Sequence, residues 1–351
     1  MKKKTIIIVT ALVLLAILGI LGILAILGLL NSRIRNTEPV RLYLPENKYI
    51  SYKIFCDDYG FDGAFRFMVK VSGMQGKRVR PGSYVIEPGM KNITLLRKLR
   101  NGQQDPLRLT IGKFRTPRQL NDYLNQKLMH NDFNITLDSF YLILPDTYEF
   151  YWTVTPEQFM QRMEKEYGNF KLKMKNEKCP NAAADSSFFI SQFSFRDVII
   201  LASIVEEETN NNQEKPLIAS VYLNRLERGM PLQADPTVKY AVATTTSPLS
   251  GGDAQRAEGL EDGFGLRRIL NKHLAVESPF NTYLHVGLPP APICLPSKTT
   301  IKAVLNAPET DYLYFCASDK MDGTHRFATT FAEHNRNAAA FHAALNRRGI
   351  K

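Results

Sequence analysis

The stretch from Arg196 to Thr209, RDVIILASIVEEET, constrains the fold of this chain more than any other. At about 100° per residue, Val198, Ile199, Ile200, Leu201, Ala202, Ile204 and Val205 spread round the whole circumference of a helix. A helix that is apolar all round has to be buried, so neighbouring elements must wrap it. Glu206, Glu207 and Glu208 then fall at the C-terminal end of a core helix, where the macrodipole is negative and carboxylates are disfavoured. Partial burial and mutual repulsion also favour the protonated carboxyl. A carboxyl that keeps its proton near neutral pH is what a general acid needs. Acids that end a helix by pointing into solvent leave the same pattern, so on this ground alone the three are candidates only.

With 351 residues, 44% of them hydrophobic and 23% charged, the chain can build two ordinary domains with cores of their own. The net charge of +11 is spread along the chain. It gives no nucleic-acid signature and suits an anionic polymer or a membrane surface. Lys2, Lys3 and Lys4 precede a run from Ile6 to Leu30 that carries no charge, longer than the ~20 residues needed to cross a bilayer. No small-x-small cleavage pattern follows before Asn31. The run reads as a single-pass anchor over 1–35, with the lysines cytoplasmic and everything after Arg33 outside. The cysteines, Cys56, Cys179, Cys294 and Cys316, form no CxxC, and the fold should not depend on their pairing.

Residues 36–180 reuse one plan, a short strand, a turn and a helix. Val40–Gly60, Ser83–Gly102, Leu107–Leu128 and Tyr141–Tyr167 all follow it, with Gly102 stopping one helix and Thr155-Pro156 starting another. Residues 171–187 lose periodicity and read as a linker. Residues 181–351 form the second domain. After the acid helix, Asn210–Gln213 break the chain before a second helix, Glu214–Arg228, which returns antiparallel. In Met230–Tyr240, Gln233, Asp235 and Thr237 alternate with apolar neighbours and read as an extended segment with three polar side chains on one side. Residues 244–263 read as a surface insertion. Ser278–Ile293 is a proline-rich loop in which Asn281, Tyr283 and His285 make a rigid polar wall. Tyr312–Ala317 reads as a buried strand, and a final helix carries His334 near its start, with His325 in the strand before it. No HExxH or compact His/Cys set is present, so no metal or cofactor is expected. GxSxG and phosphate-loop patterns are missing too. The expected fold is α+β: one transmembrane helix, a strand–helix N-terminal region and a mixed α/β C-terminal domain.

LASIVEEET (201–209), VYLNRLERGMPLQADPTVKYA (221–241), SPFNTYLHVGLPPAPI (278–293) and YLYFCASDKMDGTHRFATTFAEHN (312–335) together resemble the YceG-like endolytic murein transglycosylases. The Gly82–Gly102 segment resembles a LysM-type glycan-binding module. The resemblance implies lytic cleavage of the β-1,4 bond between N-acetylmuramic acid and N-acetylglucosamine in nascent peptidoglycan, leaving 1,6-anhydro ends. It assigns the catalytic role to the first acid, Glu206, as general acid and then base. Gln233, Asp235, Thr237, Asn281, Tyr283, His325 and His334 are the expected substrate-binding residues. The expected partners are glycan strands, the membrane and penicillin-binding synthases of the elongation machinery. Two alternatives stay open: a hydrolytic muramidase using Glu206 and Asp235, and a membrane-anchored glycan-binding scaffold without activity.

Overall fold

A computed structural model describes residues 2–176, 193–245, 266 and 269–349. The chain opens with α1 (Lys2–Asn31), followed by β1 (Val40–Leu44), α2 (Tyr52–Asp58), α3 (Gly63–Val71), β2 (Gly82–Ile86) and α4 (Asn92–Asn101). Next come β3 (Leu107–Ile111), α5 (Pro117–Lys127), the short α6 (Leu137–Phe140), β4 (Asp146–Phe150) and α7 (Pro156–Asn176). The last described elements are α8 (Phe195–Glu208), α9 (Lys215–Glu227), α10 (Asp235–Thr245), the single-turn α11 (Asn271–Leu274), α12 (Lys298–Leu305), β5 (Tyr314–Ala317), β6 (His325–Ala328) and α13 (Phe331–Arg347). Among the described residues the strands form three two-stranded sheets, β1–β2, β3–β4 and β5–β6.

The chain divides into two compact units. The first holds Met1–Leu109, Gln126–Asn131 and Glu149–Thr155; the second holds Thr110–Asn125, Asp132–Tyr148 and Pro156–Lys351. The boundary expected at 180/181 and the rest of the linker from 177 onward lie outside the described residues, whereas 171–176 continue α7 as helix. Most of the 244–263 insertion also lies outside them; Thr244 and Thr245 end α10.

In the first unit β1 and β2 pair antiparallel, with Val40 opposite Ile86 and Leu44 opposite Gly82. Leu42 and Leu44 point inward from β1, as the period of two requires. They meet Tyr52, Phe55, Phe65, Tyr84, Leu95 and Leu99 in one core. Between the strands lies α3, which strand–turn–helix reasoning missed. Its signal is local: Asp62 accepts from Phe65 N at its N-cap, and Phe65, Met68 and Val69 bury one face. Gly102, at φ +67°, ends α4 as expected. The apolar run Ile6–Asn31 is the one helix among the described residues long and apolar enough to cross a membrane. Directly after it, Ile34 N donates to Met90 O at 2.8 Å, and Asn92 Nδ2 donates to Ser32 Oγ at 3.0 Å.

The second unit is built round α8. Ser194 and Asp197 form a capping box at its start, and every residue from Val198 to Val205 is buried. α9, α10 and α12 pack against it. Two expectations need correction here. Met230–Tyr240 is not extended: α10 starts at Asp235, because Pro236 in the first helical turn fixes a helical φ at no hydrogen-bonding cost. Thr237 is thereby turned inward and fully buried. The strand expected over Tyr312–Ala317 begins at Tyr314 and is only half-buried, since it pairs with β6 alone and sits against α13. Cys56, Cys294 and Cys316 are free thiols; Cys179 lies outside the described residues.

Candidate active site

The three acids of α8 have separate surroundings. Glu206 accepts from Lys215 Nζ at 3.1 Å and from Ser297 Oγ at 3.0 Å; the Thr300 hydroxyl also donates to it. All three reach the same oxygen, Oε2. Lys215 is 4% exposed and donates to Thr300 Oγ1 at 2.7 Å as well. Ser297 is the N-cap of α12, so the carboxylate also sits at a helix N-terminus, where negative charge is favoured. Glu206 therefore ties together the end of α8 and the starts of α9 and α12.

Glu207 makes a bidentate pair with Arg115, Nε to Oε1 and Nη2 to Oε2, both at 3.0 Å. Lys113 Nζ lies 3.0 Å from its Oε1. Burial pushes this carboxyl upward, but the bonds from Arg115 and Lys113 outweigh it and hold it below the usual range. Glu207 is thus a paired anion, and its charge still helps to raise the Cys294 thiol and the Glu208 carboxyl.

Glu208 differs from both. Burial, the largest influence, pushes its carboxyl up to about 7 against the opposing bond from Tyr222. Tyr222 donates its hydroxyl to Oε1 at 2.5 Å. Asp235 raises the carboxyl further and Lys239 opposes it. The residue as a whole keeps part of its surface open to solvent, while its carboxyl is buried. Beside it Tyr283 donates to Asp235 Oδ1 at 2.8 Å. Tyr283 is itself raised well above the usual phenol range, by burial first and then by this bond.

Of the residues expected from sequence, Asp235 and Tyr283 are brought together as a bonded pair. Gln233 is exposed and held at φ +50°, a strained setting that costs a non-glycine residue about 1 kcal/mol or more; its N donates to Thr282 O at 3.1 Å. Thr237 and Asn281 are structural. The Thr237 hydroxyl donates to Ala234 O and sits 2.8 Å from that of Thr282. The Asn281 amide donates to Leu274 O and Val276 O at 2.9 Å each and is wholly buried. His325 Nδ1 lies 2.9 Å from Glu214 Oε2, fastening β6 to the head of α9. His334 stacks on Tyr314. Among the described residues no group of His, Cys, Asp and Glu could hold a metal ion.

Ala202 and Ser203, on the face of α8 one turn before Glu206, are both fully buried. Ser203 Oγ accepts from Ile293 N at 3.0 Å and donates to Ile200 O at 2.6 Å, so the end of the proline-rich loop occupies that face. Tyr222, Lys215, Ser297 and Thr300 were missed by sequence reasoning. Tyr222 carried a signal, since a tyrosine on the apolar face of a buried helix must find a partner for its hydroxyl. Arg115, 92 positions from Glu207, carried none.

The model of the YceG-like family matches residues 46–340. An endolytic murein transglycosylase of Bacillus subtilis (strain 168) is 31% identical over 227 residues, 64% of this chain and 52% of that protein. One of Streptococcus pneumoniae (strain D39) is 34% identical over 143 residues, 41% of this chain and 23% of that protein. The chain thus spans about half the length of the first relative and under a quarter of the second. A crystal structure of a putative YceG-like protein from Listeria monocytogenes, 26% identical, covers 86% of this chain and 99% of its own, with a TM-score of 0.48. On the match of the family model over most of its length, the chain belongs to the YceG-like family.

Proposed function

We propose that this protein is an endolytic murein transglycosylase in which Glu208 is the general acid. The observation that carries this is the Glu208 carboxyl itself, buried, bonded to the Tyr222 hydroxyl and raised to about 7 by burial, on a residue that as a whole is only partly buried. A group poised there can give up a proton and take one back at neutral pH. In the proposed reaction Glu208 donates to the glycosidic oxygen as the muramyl C1–O bond breaks through an oxocarbenium-like state. The Glu208 carboxylate then removes the proton of the muramyl C6 hydroxyl, which closes on C1 to give the 1,6-anhydro ring. The proton balance closes on one carboxyl, and no water is consumed.

Tyr222 stabilises the carboxylate stage through its 2.5 Å bond. Gln233, Asp235 and Tyr283 are the proposed glycan contacts. The resemblance assigns the acid role to Glu206, but a carboxylate whose Oε2 receives an ammonium and two hydroxyls is arranged to accept. We assign Glu206 to holding the site together. Asp235 as the base of a hydrolytic muramidase is less favoured, since one of its oxygens already receives Tyr283.

The relatives' names support the substrate class. The apolar helix at Ile6–Asn31 supports a membrane anchor, with the lysines on the cytoplasmic side. The first unit's strand–helix build is compatible with a LysM-like glycan-binding role, and penicillin-binding synthases are the proposed protein partners. Mass spectrometry of the muropeptides released from nascent glycan tests the reaction. Anhydro-muramyl ends are expected. Reducing muramic acid ends would make the enzyme a hydrolase, and no cleavage would favour the scaffold alternative.

A further inference from the structure

Tyr314, Phe331 and His334 bring three rings together on the surface of the second unit. The Tyr314 and His334 rings are 5.4 Å apart and inclined by 29°. Phe331 and His334 are 6.2 Å apart at 28°, and Phe331 lies 5.8 Å from Tyr314. The sequence builds this locally. Thr330 caps α13 by accepting from Glu333 N at 3.2 Å, and Phe331 and His334, three apart, then share a face above the first residue of β5.

Phe331 keeps 61% of its surface exposed, against 50% for Phe67, the other exposed phenylalanine among the described residues. Its chain neighbours Thr329, Thr330, Asn335 and Arg336 are exposed and polar, and only the small Ala332 is exposed and apolar beside it, so little apolar surface flanks the ring along the chain. That is narrow for a protein interface, which presents a contiguous patch of several hundred Å2. It is the size of a pyranose. One face of a sugar ring carries C–H groups with partial positive charge, which sit well on the negative face of an aromatic ring, while its hydroxyls need a polar rim.

The cluster also adjoins the candidate active site. The Arg225 guanidinium lies 5.3 Å from the Tyr314 ring centroid, and its Nη1 donates to Leu232 O at 2.8 Å, one residue before Gln233. Tyr283 and Glu208 both lie within reach of the Arg225 charge. Burial first, and Arg225 second, hold His334 below its usual range, so the ring is neutral and its Nδ1 is buried without a hydrogen-bond partner.

We propose that the Phe331–His334–Tyr314 cluster is a sugar-stacking subsite that holds a pyranose of the glycan strand away from the bond being cut. The subsite rests on the glycan reading above and adds a length requirement to it. A single disaccharide at the cleavage centre leaves the rings untouched; a longer strand engages them.

The test uses the detergent-solubilised full chain carrying Glu208→Gln, titrated with one murein disaccharide and with uncross-linked strands of several disaccharides. Phe331→Ala and Phe331→Leu are expected to weaken long-strand binding by about fivefold to tenfold, the scale of one ring contact. Phe331→Tyr, which keeps the ring, is expected to hold the original affinity, and the disaccharide to bind all forms alike. Thermal melts check that the variants fold, as exposure of the side chain leads one to expect. Unchanged long-strand affinity in Phe331→Ala overturns the subsite while leaving the cleavage reading intact. Equal weakening of the disaccharide overturns its remote placement, and retention of affinity by Phe331→Leu overturns stacking. A parent chain that binds no glycan of either length removes the glycan reading itself.

Discussion

At Glu208 burial and the Tyr222 hydroxyl act against each other, burial favouring the neutral acid and the hydroxyl the carboxylate. Tyr222→Phe removes the second influence and moves the carboxyl further up. Because an acid catalyst is lost as pH rises through its own titration, the alkaline limb of the kcat/KM profile is expected to move to higher pH in this variant. A limb that stays or moves down would contradict the role given to Tyr222. The same carboxyl shapes stability. Its ordinary value of 4.5 rises to about 7 in the folded chain, so the stability it contributes is fully present below about 4.5 and is lost as pH rises through about 7. The melting temperature of Glu208→Gln relative to the parent should therefore improve from pH 4 to pH 8; a flat difference would contradict the buried, proton-holding state. Glu206 calls for a different expectation. Glu206→Gln leaves the Lys215 ammonium buried without its counter-ion, which costs about 3 kcal/mol. Equilibrium denaturation should show that loss, and much of it should be recovered in Glu206→Gln/Lys215→Met, since the two residues interact directly.

Among the elements, α8 was the easiest to read. Its unbroken apolar circumference required burial, and Val198–Val205 are buried without exception. α4, α9 and α13 were legible from their periodicity and from stops such as Gly102 and Gly229. α10 was not, because the alternation of Gln233, Asp235 and Thr237 imitates a strand, and only the Asp-Pro start gives the helix away. The site was half legible for a related reason. Three adjacent acids at the end of a core helix mark candidates, but their partners come from α9, α12 and the loop before α5, and sequence distance hides them. The proline-rich loop had its own concealed fastening. Ser203 holds Ile293 N by its side chain, so Ser203→Ala leaves that buried N–H without an acceptor and should cost about 1–3 kcal/mol. Unchanged thermal stability would show that the loop is held by Ile293 and Leu295 packing alone.

Over the whole molecule, an apolar helix that can anchor the chain and the core helix that carries the proposed cleavage centre belong to two compact units. The net charge of +11 suits an anionic glycan and an anionic membrane surface alike, so charge does not separate the two roles. The proposed cleavage centre does, and its weight falls on one carboxyl. The decisive measurement is the rate at which anhydro-muramyl ends form from nascent glycan, followed by mass spectrometry for the parent, Glu208→Gln and Glu206→Gln. For Glu208→Gln a loss of at least about 100-fold is expected, with the fold intact. Glu206→Gln should keep measurable turnover wherever it remains folded. A folded Glu208→Gln that still forms anhydro ends at the parent rate, beside a folded and silent Glu206→Gln, would contradict the assignment and return the acid role to Glu206.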